Sequence, residues 1–357
     1  MAAPLKPLSA IDSISLSMQR ARQQLFQPFR LSFWWRMAVV AFFAGEFASY
    51  SFNVGSPGGS GGSGHSNKYF LATPPDWVVF RHLLPWILVG AVALVVLIFL
   101  FLYVHSVFRF ILFDSVLTGR CSIRQSWSRR QNQGTRYFVW LIGYTLLMLL
   151  ALFIVIGLPV LGLWRAGVFS NAGEHVALLV LTIFFLLMAF LALLLVSWVI
   201  GTVVKDLLIP IMALDDVSVG QAWRSYKPTL VQQKGSAAGY LGMKLLLAIG
   251  LGIVVGIVSF FVFLILLIPS VVFFLAMAGL MSSGRVGLVV GILLTALGGV
   301  MLLALIFAIS GILSVPLAVF FQSYALYYLG SRYQRLGELL WPAPPESGTP
   351  PASPMPA

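Results

Sequence analysis

The chain has 357 residues, of which 60% are apolar and only 9% are charged, and its formal net charge is +12. A soluble domain carries about 45–50% apolar and about 25% charged residues. The composition therefore excludes a soluble globular protein, a disordered chain and a disulfide scaffold. It predicts a helical membrane protein built mostly of membrane-spanning segments.

Six apolar segments predict spanning helices, because a bilayer core of about 30 Å takes roughly 20 apolar residues in a helix. The first, residues 31–52, is the weakest because it contains Arg36 and Glu46. A signal peptide is the alternative there, but the leader would be unusually long. The other five segments carry no charge: 83–108, 137–164, 176–204, 245–284 and 286–331. The predicted fold class is all-α, a polytopic transmembrane helical bundle of about six spans.

The last two apolar segments are longer than one crossing requires. Pro269 and Pro316 offer places at which these helices can kink or leave the membrane. Near the end of the last segment, Tyr324, Tyr327 and Tyr328 suit a membrane interface rather than its hydrocarbon centre.

The distribution of Lys and Arg predicts that both termini are cytoplasmic. With six spans, 18 of the 22 basic residues fall on the side of the N-terminus, and Lys68, Arg81, Arg165 and Arg285 fall on the other. We therefore expect a multi-pass protein of the bacterial inner (cytoplasmic) membrane. The positive charge marks this topology, and we do not expect a nucleic-acid partner.

The sequence predicts three parts: a cytoplasmic amphipathic segment (1–30), the transmembrane bundle (31–336) and a Pro-rich disordered tail (337–357). A flexible Gly/Ser linker that contains His65 joins the first two spans. The single cysteine, Cys121, falls on the predicted cytoplasmic side.

An internal repeat relates residues 109–127 to residues 205–223, at an offset of 96 residues. Both copies contain Ser-x-x-Gln, the spacing of a capping box that begins a helix. The residues that define these two elbows are Ser122, Gln125 and Trp127 in the first copy and Ser218, Gln221 and Trp223 in the second. We predict that each elbow begins a short amphipathic helix at the cytoplasmic interface; the alternative is ordinary basic loops.

Helical spacing predicts an apolar face on two of these short helices. The second elbow has this spacing at Val219, Trp223, Tyr226 and Leu230. The N-terminal segment has it at Ile11, Ile14, Met18, Ala21 and Leu25. We therefore expect three interfacial helices, each leading into an odd-numbered span.

Three segments of the chain resemble those of a known membrane-protein family. The segments LFQPF before WWRM, IPIMALDDVSVGQAW and VPLAVFFQSYALYYLG are similar to the glycerophosphoryl diester phosphodiesterase membrane-domain family and related bacterial multi-pass proteins. The matching elbow residues are Pro210, Asp215, Asp216, Ser218, Ala222 and Trp223; in the first elbow Asp114 stands in place of Pro210. The resemblance implies a membrane module without the catalytic barrel of about 250 residues.

Six ionisable residues in or at the ends of spans form the candidate intramembrane polar site, because charges in a bilayer are costly and usually functional. They are Glu46, His105, Arg109, Asp114, Lys205 and Asp206. For Arg109 and Lys205, simple anchoring at the interface is the alternative. Glu46 has no basic partner nearby in the sequence and is the candidate proton or cation site.

The sequence favours a non-enzymatic membrane protein that organises lipid or partner proteins, since no catalytic set, cofactor motif or metal-ligand spacing is evident. The expected partners are anionic headgroups of membrane lipids, a partner protein or a second copy of the chain. The alternative is a transporter or permease for a lipid-like or small amphiphilic solute, because the chain carries a repeat and proline-containing spans.

Overall fold

The computed structural model describes residues 7–27, 29–46, 77–168 and 176–341, and these residues form helices without any strand. In chain order the helices are α1 (Asp12–Phe26), α2 (Leu31–Phe43), α3 (Trp77–Thr118), α4 (Ile123–Leu152), α5 (Leu158–Arg165), α6 (Val176–Val203), α7 (Ile209–Asp215), α8 (Val219–Gln232), α9 (Lys234–Met281), α10 (Arg285–Gly330) and α11 (Gln334–Leu340). Wide π-helical turns join α4 to α5 (Phe153–Gly157) and α6 to α7 (Val204–Leu208). The predicted all-α fold class is confirmed.

Within the described residues, five helical runs are long and apolar enough to cross a bilayer, so the protein is a helical membrane protein. They are Leu84–Thr118, Ile123–Arg165, Val176–Asp215, Lys234–Met281 and Arg285–Gly330. The predicted first span, residues 31–52, is not among these five runs. Its helix, α2, has 13 residues, which is about 20 Å and shorter than the bilayer core. The rest of that predicted span, residues 47–52, lies outside the described residues, as do the Gly/Ser linker and residues 342–357 of the tail.

The two longest helices run without a break through their prolines. α9 has 48 residues and contains Pro269, and α10 has 46 residues and contains Pro316. At 1.5 Å per residue they measure about 70 Å, more than twice the bilayer core. Neither proline ends its helix, but next to Pro316 α10 passes from exposed to buried surroundings. The extra length therefore serves another part of the molecule.

Each long helix divides into an exposed apolar part and a buried part. In α10, large apolar side chains from Val286 to Ile312 are exposed, whereas those from Val315 to Leu329 are mostly buried. In α3 the exposed part is 84–101, and residues 107–116 are largely buried. Apolar surface of this extent is stable in lipid but not in water. We call the exposed parts of the five runs the membrane arms.

The buried parts meet at one end of the molecule in a compact helical unit, which we call the head. It consists of α1, α2, α7, α8, α11 and the adjoining ends of α3, α4, α6, α9 and α10. Its fully buried side chains include Leu25, Met37, Phe110, Tyr324 and Tyr328. Tyr324 and Tyr328, which were expected at the membrane interface, are buried inside the head, where Tyr240 stacks on both; their depth relative to the bilayer stays a prediction.

The N-terminal amphipathic helix packs on the head with part of the predicted face: Ala21 and Leu25 are buried and Ile14 contacts the core. α1 buries Ser13, Ser17, Ala21 and Leu25. Ile11 and Met18, which were expected on the apolar face, are 65% and 53% exposed. Small serine side chains let α1 approach α10 closely, so the packing face depends on size as well as on hydrophobicity.

The two elbows of the repeat differ in structure. At the second, the predicted capping box is confirmed: Gln221 N donates to Ser218 Oγ (3.4 Å), and Ser218 N donates to Gln221 Oε1 (3.0 Å). At the first, α4 begins at Ile123, but the Ser122 side chain caps no backbone group among the described residues.

The first elbow also lacks the predicted separate short helix, because α4 continues for 30 residues into its membrane arm. In the second copy, Pro210 has no backbone N–H to donate, and it lies at the start of α7. A π-helical turn precedes it, and α7 ends where Asp216 adopts a left-handed conformation (φ 54°). The first copy has Asp114 at the proline position and no π-helical turn, and α3 ends at Thr118, which matches Leu214 near the end of α7.

Candidate functional site

Five ionisable side chains meet inside the head, and we call them the buried ion cluster. Glu46 follows α2, Arg109 lies on α3, Lys205 and Asp206 lie on the π-helical turn after α6, and Lys244 lies on α9. Arg109 Nη1 and Lys205 Nζ both form ion pairs with Glu46 Oε1. Lys244 Nζ forms an ion pair with Asp206 Oδ2. The cluster thus joins four segments of the chain.

The cluster is almost completely shielded from solvent. Glu46 and Asp206 are each 1% exposed, and Lys244 is 5% exposed. Asp206 Oδ2 also accepts a hydrogen bond from the Tyr240 hydroxyl at 2.8 Å. Charges buried to this extent persist only when they are paired and hydrogen-bonded. Losing one partner of a buried pair costs about 3–5 kcal/mol, so the cluster fixes how these segments pack.

His105 lies beside the cluster, one helical turn before Arg109. Its Nδ1 is 3.0 Å from the carbonyl oxygen of Phe43. The ring packs against Gly45, where an added Cβ would approach His105 Cε1 to 2.6 Å. Gly45 also has φ +73°, a left-handed conformation that favours glycine. His105 therefore holds the chain after α2 in position, which places Glu46 next to Arg109.

The structure separates Asp114 from the other predicted site residues. Its carboxylate accepts two hydrogen bonds from Arg130, at 2.8 Å from Nε and 2.7 Å from Nη2. Arg130 Nη1 also donates to Gln133 Oε1 (2.8 Å) and to the carbonyl oxygen of Ala213 (2.6 Å). Gln133 Nε2 donates to Asp216 Oδ1 at 3.2 Å. This second polar cluster joins α3, α4 and α7.

A third set of contacts closes the head at the end of α10. The Tyr333 hydroxyl and Arg335 both donate to Asp215. Burial, together with the neighbouring Asp215 carboxylate, raises the pKa of Tyr333, so its hydroxyl stays a hydrogen-bond donor. Arg332 donates to Gln233 Oε1 (2.8 Å) and its guanidinium carbon lies 3.9 Å from the ring centre of Tyr328.

The elbow residues of the repeat have separate surroundings. Ser122 and Gln125 line an open cavity of about 620 Å³, together with Arg36 and Arg124. Trp127 packs edge-on against Tyr103 and Phe108, with ring centres 6.2 and 5.8 Å apart. Trp223 lines a different, apolar groove. The elbows therefore do not form one site, and neither of these two cavities is lined by Glu46.

Sequence reasoning found five of the six site residues that the structure places in or beside the ion cluster, but it missed other members of the polar network. Lys244 was not among the candidate site residues, and Arg130, Tyr240 and Arg332 had no signal. Each of these side chains is drawn inward by a partner far away in the chain: Lys244, for example, pairs with a carboxylate 38 residues earlier. The sequence offered one usable signal. It has 10 acidic and 22 basic residues, so each carboxylate has several Lys or Arg residues as possible partners.

The arrangement can hold helices in a fixed geometry through charge, and its carboxylates are engaged by cations. Three cations and two carboxylates lie in the ion cluster, and disturbing either carboxylate would leave buried positive charge. The ion pairs therefore connect the segments that form the head. Any role in moving a proton or a solute is a proposal.

Comparison with known proteins places the chain in a family but gives no function. No curated protein and no solved structure matches it. The resemblance to the glycerophosphoryl diester phosphodiesterase membrane-domain family stays a prediction. The chain belongs to DUF7544, a family of unknown function, which matches residues 8–339.

Proposed function

We propose that the protein is a non-enzymatic integral protein of the bacterial inner membrane whose head lies on the cytoplasmic side and gathers anionic lipid. The observation that carries the proposal is the charge of the head's surface. Its exposed basic residues are Arg22, Arg30, Arg36, Arg120, Arg124, Arg129, Arg136, Arg224, Lys227, Lys234 and Arg335. In the part of the head that the structure describes, the exposed acidic residues are Asp12, Asp216 and Glu338.

This imbalance arises because the head uses most of its few carboxylates internally. Of the seven carboxylates in the described part of the head, Glu46, Asp114 and Asp206 form ion pairs with Arg and Lys side chains inside it, and Asp215 pairs with Arg335. The remaining exposed cations lie on the surface of the head. Each Lys or Arg near an anionic bilayer surface contributes about 1 kcal/mol of attraction. A head of this charge favours anionic headgroups around the arms.

The test compares lipid enrichment around the purified full-length protein in vesicles of phosphatidylcholine with 20 mol% phosphatidylglycerol. Spin-labelled versions of both lipids report the fraction held at the protein surface. We expect a several-fold preference for phosphatidylglycerol that weakens as salt rises, because salt screens exposed charges. The triple variant Arg120→Gln, Arg124→Gln, Arg129→Gln should reduce the preference, whereas Arg285→Gln at the opposite end should not. Equal association of both lipids would refute the proposal.

One observation favours transport of a lipid-like solute as a second candidate. Lys205 and Asp206 lie on a π-helical turn, a local distortion that is common at functional sites. They pair with charges on two other segments, and such intramembrane charge pairs mark many solute and proton pathways. The test follows fluorescent phosphatidylglycerol across vesicle bilayers containing wild type or Glu46→Gln, and it uses Glu46→Gln only below its unfolding temperature, which thermal unfolding measures. Faster crossing with wild type alone would support transport, and no acceleration over empty vesicles would reject it.

A further inference from the structure

An apolar groove of about 560 Å³ lies on the side of the head, between α6, α8 and α9. Its size falls within the range of about 300–1,000 Å³ that is typical of ligand sites. Trp140 of α4 and Trp223 of α8 contribute the largest rings of its lining. The rest of the lining is aliphatic except for Lys234, the first residue of α9.

The internal repeat explains why this space is open. In the first copy, Trp127 packs against Tyr103 and Phe108, and Tyr103 also packs against Phe138. At the same offset of 96 residues the second copy has Trp223, Val199, Val204 and Lys234. All four of these line the groove. Two valines and a lysine thus stand where three aromatic rings fill the first copy.

The groove continues into the lipid-facing surface of the membrane arms. Val199 and Ile200 belong to the last turns of α6, and the preceding Leu195 and Val196 are 58% and 50% exposed. On α9, Leu241 lines the groove, and Leu246 is 66% exposed. A lipid beside the arms therefore reaches the groove without passing a polar barrier.

The far end of the groove carries positive charge. Lys234 lies ten residues before Lys244, about 15 Å farther from the membrane arms along α9. Arg224 and Lys227 are exposed on α8 beside it. The sequence has no acidic residue between Asp216 and Glu338. The groove is thus apolar toward the bilayer and cationic toward the head, which is complementary to an anionic amphiphile.

We propose that the groove holds one acyl chain of a bilayer phospholipid whose anionic headgroup lies against Lys234. The inference rests on the proposed function and gives it a specific site. It explains why the aromatic packing of the first copy is absent from the second. A zwitterionic lipid would fit the apolar part equally well, so Lys234 provides the selectivity for an anionic headgroup.

The test uses the full-length protein in phosphatidylcholine vesicles with 5 mol% phosphatidylglycerol that carries a photoactivatable diazirine in one acyl chain. After irradiation, mass spectrometry of peptides maps the adducts. We expect adducts on residues 199–208 and 237–241 to exceed those on 84–101 several-fold per exposed residue. Unlabelled phosphatidylglycerol should compete at the groove and not at 84–101.

Two variants test the groove itself. The double variant Val199→Tyr, Val204→Phe copies the packing of the first repeat, and it should abolish the groove adducts. Ala238→Trp fills the groove from α9 and should do the same, with Ala93→Trp on the exposed surface of α3 as its control. Thermal unfolding identifies variants that fail to fold, and only folded variants are compared.

Lys234→Gln tests the headgroup contact and should lower groove labelling several-fold, whereas Arg124→Gln at the other elbow should not. Adducts spread evenly over all exposed arm surfaces, or a phosphatidylcholine probe that labels the groove equally, would overturn the inference. If the groove variants leave labelling unchanged while the bulk preference for phosphatidylglycerol persists, the inference fails and the proposed function stands. If the groove is labelled as expected but the bulk preference is absent, the proposed function fails instead.

Discussion

Arg109 and Lys205 occupy the same position in the two copies of the repeat, and both form ion pairs with one oxygen of Glu46. The repeat therefore brings two copies of a cation to a single carboxylate that belongs to neither copy. Glu46 comes from the segment after α2, 63 residues before Arg109. The pairing makes the N-terminal helices an integral part of the head.

Replacing this carboxylate should destabilise the protein strongly. Glu46→Gln keeps the size of the side chain but leaves Arg109 and Lys205 without its charge in a shielded site. We expect a loss of about 3–5 kcal/mol, the usual cost of breaking a buried ion pair. Thermal unfolding of the purified protein in detergent measures it as a lower midpoint.

Two further variants make this result interpretable. Glu338→Gln removes an exposed carboxylate that accepts a hydrogen bond from Gln334 at 3.0 Å, and it should change stability by less than about 0.5 kcal/mol. Adding Lys205→Met to Glu46→Gln should recover part of the loss, because it removes one of the two cations that lose the Glu46 carboxylate. An unfolding midpoint for Glu46→Gln equal to that of wild type would show that the ion cluster does not hold the head together.

The two elbows provide a matched pair for measuring helix capping. Ser218→Ala removes the side chain that accepts a hydrogen bond from Gln221 N, and the loss of such a cap costs about 1 kcal/mol. Ser122→Ala removes a hydroxyl that caps no backbone group in the described part of the first elbow, so its effect should stay within about 0.5 kcal/mol. The same unfolding assay measures both, and equal losses would contradict the structural difference between the elbows.

The sequence was sufficient to predict the membrane arms but not the head. Charge-free runs identify the five long helices because lipid exposure requires apolar residues on every side. The length of α10 had no explanation from sequence, since its buried end carries no charged residue, like its lipid-facing part. Only packing in three dimensions shows that residues such as Tyr324 leave the membrane arm and enter the head.

The sequence predicted only part of the polar site, again because contacts between distant segments are not visible in it. Costly charges in apolar segments pointed to Glu46, Arg109 and Asp206 from composition alone. Which carboxylate meets which cation depends on contacts between distant segments, so Asp114 was grouped with the wrong partners. Ser122 shows the same limit. The Ser-x-x-Gln motif is present in the sequence, but the Ser122 side chain does not cap the start of α4.

Arg130 should tolerate no conservative replacement. Its guanidinium binds both oxygens of Asp114 and also reaches Gln133 and the carbonyl oxygen of Ala213. A lysine ammonium cannot reproduce this planar set of contacts. Arg130→Lys should therefore cost about 1–3 kcal/mol through unsatisfied buried groups. Arg129→Lys, at the exposed neighbouring position, is the control, and similar midpoints for the two variants would refute the argument.

The orientation of the head can be tested with cysteine labelling, but the natural cysteine is a poor reporter. Cys121 is 7% exposed, and burial raises the pKa of its thiol. Because the thiolate is the reactive form, labelling there would be slow from either side. A Cys121→Ser background with a single new cysteine at an exposed position avoids this difficulty.

Gln125→Cys places the new thiol on the head, and Ser283→Cys places it in the turn between α9 and α10 at the opposite end. With a cytoplasmic head, an impermeant maleimide added to intact spheroplasts should label Ser283→Cys and leave Gln125→Cys unlabelled. Permeabilised spheroplasts should show labelling of both, which confirms that each thiol is accessible. Labelling of Gln125→Cys in intact spheroplasts would reverse the orientation, and it would remove the basis for attracting cytoplasmic anionic lipid to the basic surface.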